Sequence, residues 1–356
     1  MKQTVYDLWI KNKQNILLTS DGGMGKTTQL INCFRKLLSK DEYTEVPIYI
    51  DVKSIEYNEK KPIFRYLYST YCGKIHSIEN IDEKIIKSLN LEKEEKLMYV
   101  FIIDGLNETT KKGNIVNDIK KLKKFNCCRF IVSSRIVEED YVFDDFVKLK
   151  LLPLEKKNVI EYIAKKLKIK GEHQIRVLDT ALLEIISNPL FLNAFCKAYG
   201  SKELLCMLKE YKKIRKADIL YAYCHKMLEE VKERAVVGEN NIIEFTIKFF
   251  LPRIAFVMVQ ENDFVATHRN IIKWLFDSDK KEAKLGEEYF RHLLRGKDFT
   301  KYMKAFLDNI DGIIEYCLYS SLIKYEENQD AYIFTHHIWR DYFASQHILN
   351  LINSCK

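Results

Sequence analysis

The first part of the chain alternates two kinds of segment. Short continuous apolar runs are separated by stretches whose apolar residues recur three to four positions apart. A short apolar run bounded by turn or charge signals predicts a buried parallel strand, and the three-to-four spacing predicts an amphipathic helix. The runs are Ile16–Thr19, Val46–Val52, Leu97–Asp104, Arg129–Ser134 and Phe146–Leu152. Helices are expected over residues 1–13, over Thr28–Ser39 (with Leu30, Ile31, Phe34, Leu37 and Leu38 as the apolar face) and over Ile115–Phe125. Strands alternating with helices predict a three-layer domain with a parallel sheet, ending near residue 152. The segment 53–96 is less regular, with tyrosine- and lysine-rich helical patterns and a break at Gly73. Tyr66, Tyr68 and Tyr71 there fit amphipathic helix faces better than base stacking.

From Pro153 the periodicity is helical. Glu155–Leu167 is amphipathic, and Leu182–Tyr199 is interrupted at Ser187-Asn188-Pro189-Leu190, where a proline opens a new helix. Helical patterning continues over 201–260, with a turn at Gly238–Asn241 and a kink or boundary at Pro252. Leu322–Tyr325 and Tyr332–Phe334 flank a polar turn and predict a hairpin, followed by a last helix over His337–Ile352. Helices followed by such a hairpin point to a winged helix. Three domains are therefore expected: 1–152, 153–260 and 261–356.

Composition adds little beyond this. The chain has 356 residues, is 47% hydrophobic and 30% charged, and has only 12 Gly and 5 Pro, so long disordered linkers have little room. A formal net charge of +8 is modest for this length and does not argue for a nucleic-acid partner. The nine cysteines lack a C-x-x-C pair and sit mostly among apolar residues, such as Cys196 and Cys206. They read as buried reduced thiols in a cytoplasmic protein. The N-terminus has no apolar signal region, and the most apolar stretch, Phe245–Val259, is broken by Lys248, Pro252 and Arg253. No membrane segment is expected.

The candidate chemistry lies at strand ends. NILLTSDGGMGKTT, Asn15–Thr28, reads as strand, glycine-rich turn and first helical turn. Gly22, Gly23 and Gly25 permit backbone angles that let successive N–H groups face an anion. The helix N-terminus adds its dipole, Lys26 can reach β- and γ-phosphates, and the Thr27 hydroxyl can hold Mg²⁺. The strict pattern fails at one position, where Ser20 stands in place of glycine. Asp104 ends the second apolar landmark, where a carboxylate beside a phosphate loop holds Mg²⁺ directly or through water. Arg135 follows the strand RFIVSS and can sense or stabilise phosphate charge.

Together these pieces resemble the NACHT module of the signal-transduction ATPases with numerous domains (STAND). SDGGMGKTT resembles the family's Walker A region, including Thr28, and FIIDGLNET its Walker B region, with a small residue, Gly105, after the aspartate. The family's usual Asp-Glu is Asn107-Glu108 here. The resemblance then leaves Glu108 as candidate general base and Asn107 as a residue able to orient, not deprotonate, water. IVSSR places Arg135 at the sensor position, SNPLFL places Pro189 near the adenine, and FTHHIWRDYFA assigns His336 to a contact with the β-phosphate of ADP. The implied fold is α/β followed by α: a three-layer parallel-sheet P-loop NTPase of the ASCE type, then a helical domain and a winged-helix domain. The implied cofactors are ATP/ADP and Mg²⁺.

The implied function is a slow ATPase used as a switch. Nucleotide exchange would open the domains and permit homo-oligomerisation, as in relatives associated with prokaryotic defence against phage. Effector and sensor parts would lie outside this chain, and nucleic acid is not expected as a partner. Two other readings stay open: an AAA+-like remodelling ATPase, and a nucleic-acid-binding regulator using the winged helix. The latter needs a basic recognition helix, and Lys301–Lys304 offers few arginines.

Overall fold

The structure is a computed structural model. It describes residues 4–40, 44–55, 60–72, 85, 97–109, 112–135, 141–169, 178–200, 214–232, 242–276 and 309–354. Gly73, Cys206, Gly238–Asn241 and Lys301–Lys304 lie outside the described residues. The chain divides into two compact units, Met1–Leu152 and Pro153–Lys356.

The first unit opens with α1 (Val5–Asn12), capped reciprocally by Thr4 and Asp7: the Asp7 N–H donates to Thr4 Oγ1 at 3.2 Å and the Thr4 N–H to Asp7 Oδ2 at 2.9 Å. Then follow β1 (Ile16–Thr19), α2 (Lys26–Leu38), β2 (Glu45–Asp51), α3 (Pro62–Cys72), β3 (Met98–Asp104), α4 (Lys112–Leu122), β4 (Cys128–Ser134) and β5 (Val147–Lys150). The five strands are all parallel, in the order β2-β3-β4-β1-β5. β2 is an edge strand, which explains how Pro47 is accommodated within it.

Side chains on successive strand positions point to opposite faces, so the apolar runs feed two cores. Leu17, Phe101, Ile103, Phe130 and Val132 face one side, with Phe64 of α3 and Ile119 of α4. Ile16, Leu18, Val100, Ile102 and Ile131 face the other, with Trp9 of α1 and Leu30 of α2. Phe101 and Phe130 are register neighbours, and their rings stack at 5.2 Å. Truncating either to Ala costs about 3–5 kcal/mol by the usual cost of emptying a core phenyl site. Tyr66 and Tyr68 pack against this core from α3, as amphipathic helix residues do, while the Tyr71 side chain is outside the described set.

The second unit contains α5 (Lys156–Lys166), α6 (Thr180–Ile186), α7 (Pro189–Ala198), α8 (Lys216–Glu230), α9 (Ile242–Phe245), α10 (Leu251–Gln260), β6 (Ala266–Thr267), α11 (His268–Phe276), α12 (Ile310–Tyr319), β7 (Ile323–Glu326), β8 (Ala331–Phe334) and α13 (His337–Ser354). α9 and α10 are continuous through a π-helical turn, Thr246–Phe250. That wider turn lies just before Pro252, whose missing N–H would interrupt a regular α-helix. The helix therefore runs past Pro252 instead of ending there.

β6, β8 and β7 form a small antiparallel sheet. With α11, α12 and α13 it makes the winged helix, and the hairpin turn is a 3₁₀ segment closed by Asp330 at φ +48°. One continuous core runs from Val159 of α5 to Ala344 of α13. Its junction is Arg253 on α10. The Arg253 Nε–H donates to the Trp274 carbonyl on α11 at 3.1 Å, and Nη1 lies 3.5 Å from His347 Nε2 on α13. Burial, then the Arg253 charge, pushes His347 down to about 4. Cys33, Cys128, Cys196, Cys224 and Cys317 are buried free thiols.

Candidate functional site at the strand C-termini

The turn after β1 is built by two glycines. Gly23 and Gly25 have φ of +76° and +91°, whereas Gly22 is not in the left-handed region, contrary to an equal demand on all three. A Cβ at Gly25 would meet nothing within 4 Å, so conformation alone fixes that glycine. Ser20 needs no glycine-like angle, and its oxygens hold the lysine of the loop. Lys26 Nζ donates to the Ser20 carbonyl at 2.6 Å, to Ser20 Oγ at 3.2 Å and to the Asp21 carbonyl at 3.1 Å. Lys26 is the first residue of α2, and its ammonium is thereby folded back across the turn. Thr27 and Thr28 follow on the exposed first turn.

Two strands over, Asp104 ends β3 with only 7% of its surface exposed. Both of its oxygens are fixed. Ser133 Oγ–H donates to Oδ1 at 2.5 Å, and the Tyr49 hydroxyl donates to Oδ2 at 3.0 Å. Ser133 Oγ in turn accepts from the Gly105 N–H at 2.8 Å. The Tyr49 phenol is pushed far up by burial and then by the Asp104 charge.

Gly105 follows at φ +81°, and a Cβ there would lie 3.1 Å from Glu108 Oε2. The requirement for a small residue after the aspartate is thus both conformational and steric. The Glu108 N–H donates to the Gly105 carbonyl at 2.7 Å, closing a turn that brings the Glu108 carboxylate back over it. Lys53 Nζ contacts Glu108 Oε2 at 2.7 Å, and Arg135 Nη2 lies 3.7 Å from Oε1. Asn107 Oδ1 accepts the Arg135 backbone N–H at 2.9 Å, so its amide ties the β3 turn to the end of β4.

Arg135 is the least satisfied group. Among the described residues, its Nε and Nη2 atoms are buried and have no hydrogen-bond partner. Buried donors without acceptors are costly in any fold, and an anionic ligand would repair the deficit. Lys26, Arg135, Glu108, Asp104 and Asp21 are electrostatically coupled: burial lowers Lys26 most, Arg135 lowers it further, and the three carboxylates oppose the shift. The predicted residues of the first unit therefore converge at one end of one sheet. Tyr49, Lys53 and Ser133 join them without having been singled out by sequence; the signal available was polar residues at the ends of apolar strands.

Pro189 and His336 belong to the second unit. Pro189 is the first residue of α7, capped by Asn188 Oδ1, which accepts the Leu190 N–H at 3.0 Å. His336 is exposed just before α13, its ring 6.4 Å from Trp339. Among the described residues, no cluster of three or more His, Cys, Asp or Glu side chains forms a metal cage. A single fixed carboxylate plus a helix-start hydroxyl instead suits Mg²⁺, which shares its shell with phosphates and water.

The loop after β1, the acidic end of β3 and the strand β4 between them define a P-loop NTPase fold of the ASCE type, followed by helices and a winged helix. No protein-family model matches the chain, and no curated protein does. Among solved structures it is similar to the ORC1 protein of Aeropyrum pernix in complex with DNA, at 12% identity and TM-score 0.39, over 93% of this chain and 86% of that one. It is also similar to the ORC2 protein of the same organism in ADPNP–ADP complexes, at 10% identity and TM-score 0.41, over 95% and 88%. A STAND protein with a tetratricopeptide repeat sensor from Pyrococcus horikoshii aligns at 13% identity and TM-score 0.46, over 99% of this chain but 45% of that one. Among the described residues, no helix is long and apolar enough to cross a membrane.

Proposed function

We propose that this chain is an ATP/ADP-binding switch of the STAND type, with a NACHT-like nucleotide module. The observation that carries the reading is Arg135: two buried guanidinium donors with no hydrogen-bond partner among the described residues, coupled to Lys26 at a glycine-rich turn. The nucleotide's phosphates would take the Gly22–Gly25 turn, Lys26 and Thr28, and Arg135 would meet their outer charge. Asp104 and Thr27 would hold Mg²⁺, which supplies charge neutralisation between the phosphates. Glu108 is the proposed base, with Asn107 fixing Arg135. Pro189 and His336, from a helical domain (153–260) and a winged-helix domain (261–356), would close on the bound nucleotide. ADP then favours a closed form, ATP an open one able to oligomerise, and only the difference in affinity moves the equilibrium. A cytoplasmic role in defence signalling fits this design.

Nucleotide released from the purified chain and separated by chromatography should be ADP. Lys26→Ala should weaken nucleotide binding by at least ~100-fold, since a charge-assisted phosphate contact is lost and the loop reorganises. Unchanged affinity would remove the phosphate-loop assignment. The presence of a carboxylate at Glu108 favours a second reading, an AAA+-like remodeller. Steady turnover that rises with protein concentration would select it.

A further inference from the structure

Lys53 stands just beyond the end of β2, and its place is set by local bonding. The Lys53 N–H donates to Asp51 Oδ1 at 3.0 Å, which fixes the 3₁₀ turn Val52–Ser54. Asp51 and Asp104 are register partners on β2 and β3, so the turn after one strand is carried beside the turn after the other. The ammonium thus reaches Glu108 at 2.7 Å while Arg135 approaches the other oxygen at 3.7 Å. The Glu108 side chain is only 16% exposed, so these charges are weakly screened. A carboxylate held between two cations is stabilised in its charged form and is a poor proton acceptor. A general base needs an oxygen free to take a proton from water.

We infer that Lys53 is a positioning residue that restrains Glu108 and so keeps nucleotide hydrolysis slow. The inference rests on the nucleotide-switch reading and concerns its timing. A lysine suits this restraint because its single charge sits on a flexible stem and can let go, unlike a planar bidentate guanidinium. In the released state Glu108 takes a proton from water as the water oxygen bonds to the γ-phosphorus. The bond from that phosphorus to the β–γ bridging oxygen breaks, and ADP leaves with the electron pair. The proton on Glu108 then passes to solvent.

The test uses the full chain, with ATP turnover and ADP affinity measured for wild type, Lys53→Met, Lys53→Gln and Lys53→Arg. The expected result is a roughly three- to tenfold rise in kcat for the two neutral variants, the size of half to one unit of carboxylate basicity. KM and ADP affinity stay within about twofold, because no phosphate contact is lost. The acid limb of the kcat profile moves to higher pH, and Lys53→Arg, which keeps the charge and lets go less readily, holds turnover at or below the wild-type level. A fall in kcat, or no change in kcat and pH profile with ADP still bound, overturns the inference and leaves the switch standing. A wild-type chain that binds neither ADP nor ATP removes the switch itself.

Discussion

Two arginines with buried N–H groups, one in each unit, have opposite fates. Arg253 in the second unit is spent on structure: its Nε–H meets the Trp274 carbonyl and its Nη1 faces His347, joining α10, α11 and α13. Arg135 in the first unit has its backbone tied to Asn107, while two guanidinium nitrogens find no hydrogen bond among the described residues. A fold that satisfies one arginine and leaves another wanting marks the second as a place for a ligand. Both are charged and follow or interrupt apolar runs, so sequence alone does not separate them. Geometry does.

The comparison breaks first on stability. Arg253→Ala empties a buried site and strands the Trp274 carbonyl, so unfolding free energy should fall by about 3 kcal/mol, summing a lost packed side chain and an unsatisfied acceptor. Chemical denaturation followed by circular dichroism measures this, and nucleotide affinity of the folded variant should not change. Arg135→Ala should do the reverse. Its unfolding midpoint should hold or rise, while affinity for ATP drops by roughly 10- to 100-fold, or about 1.4–2.7 kcal/mol for a charge-assisted phosphate contact. If Arg135→Ala unfolds the protein and leaves affinity intact, the two arginines are alike and the site has been misread.

Much of this was legible in the chain, and the parts that were not share a cause. β1, β3 and β4 announce themselves because strands buried on both faces must be continuously apolar. β6 has two residues and carries no pattern of its own. The π turn at Thr246–Phe250 is equally silent, since a single wider turn inside a helix carries no sequence signal of its own. At the site, Lys26, Asp104 and Arg135 stand next to recognisable turns. Tyr49, Lys53 and Ser133 matter only through register: β2 and β4 flank β3, which places Tyr49 and Ser133 on either side of Asp104. A one-residue slip would send each to the other face, and nothing local in the sequence prevents that slip. The reason for Gly105 likewise emerged only when Glu108 was seen to fold back beside it.

The smallest effect tests the structural arginine through its neighbour. His347 is 6% exposed and faces Arg253, so its protonated form is disfavoured by burial first and by the guanidinium second, which lowers it to about 4. A histidine lowered on folding binds more protons when unfolded, so its contribution to stability is present above the unfolded value of 6.5 and is lost as pH falls towards 4. Between pH 7 and about pH 5.5 the loss is about 1 kcal/mol, from the same linkage relation. Other groups titrate in this window, so the informative quantity is the difference between wild type and His347→Leu. That difference should shrink on acidification, because leucine keeps the apolar contact with Phe256 and has no proton to gain. A difference that stays constant from pH 7 to 5 would mean that the imidazole is already open to water. Arg253 would then no longer be the sealed, fully used partner that gives Arg135 its meaning by contrast.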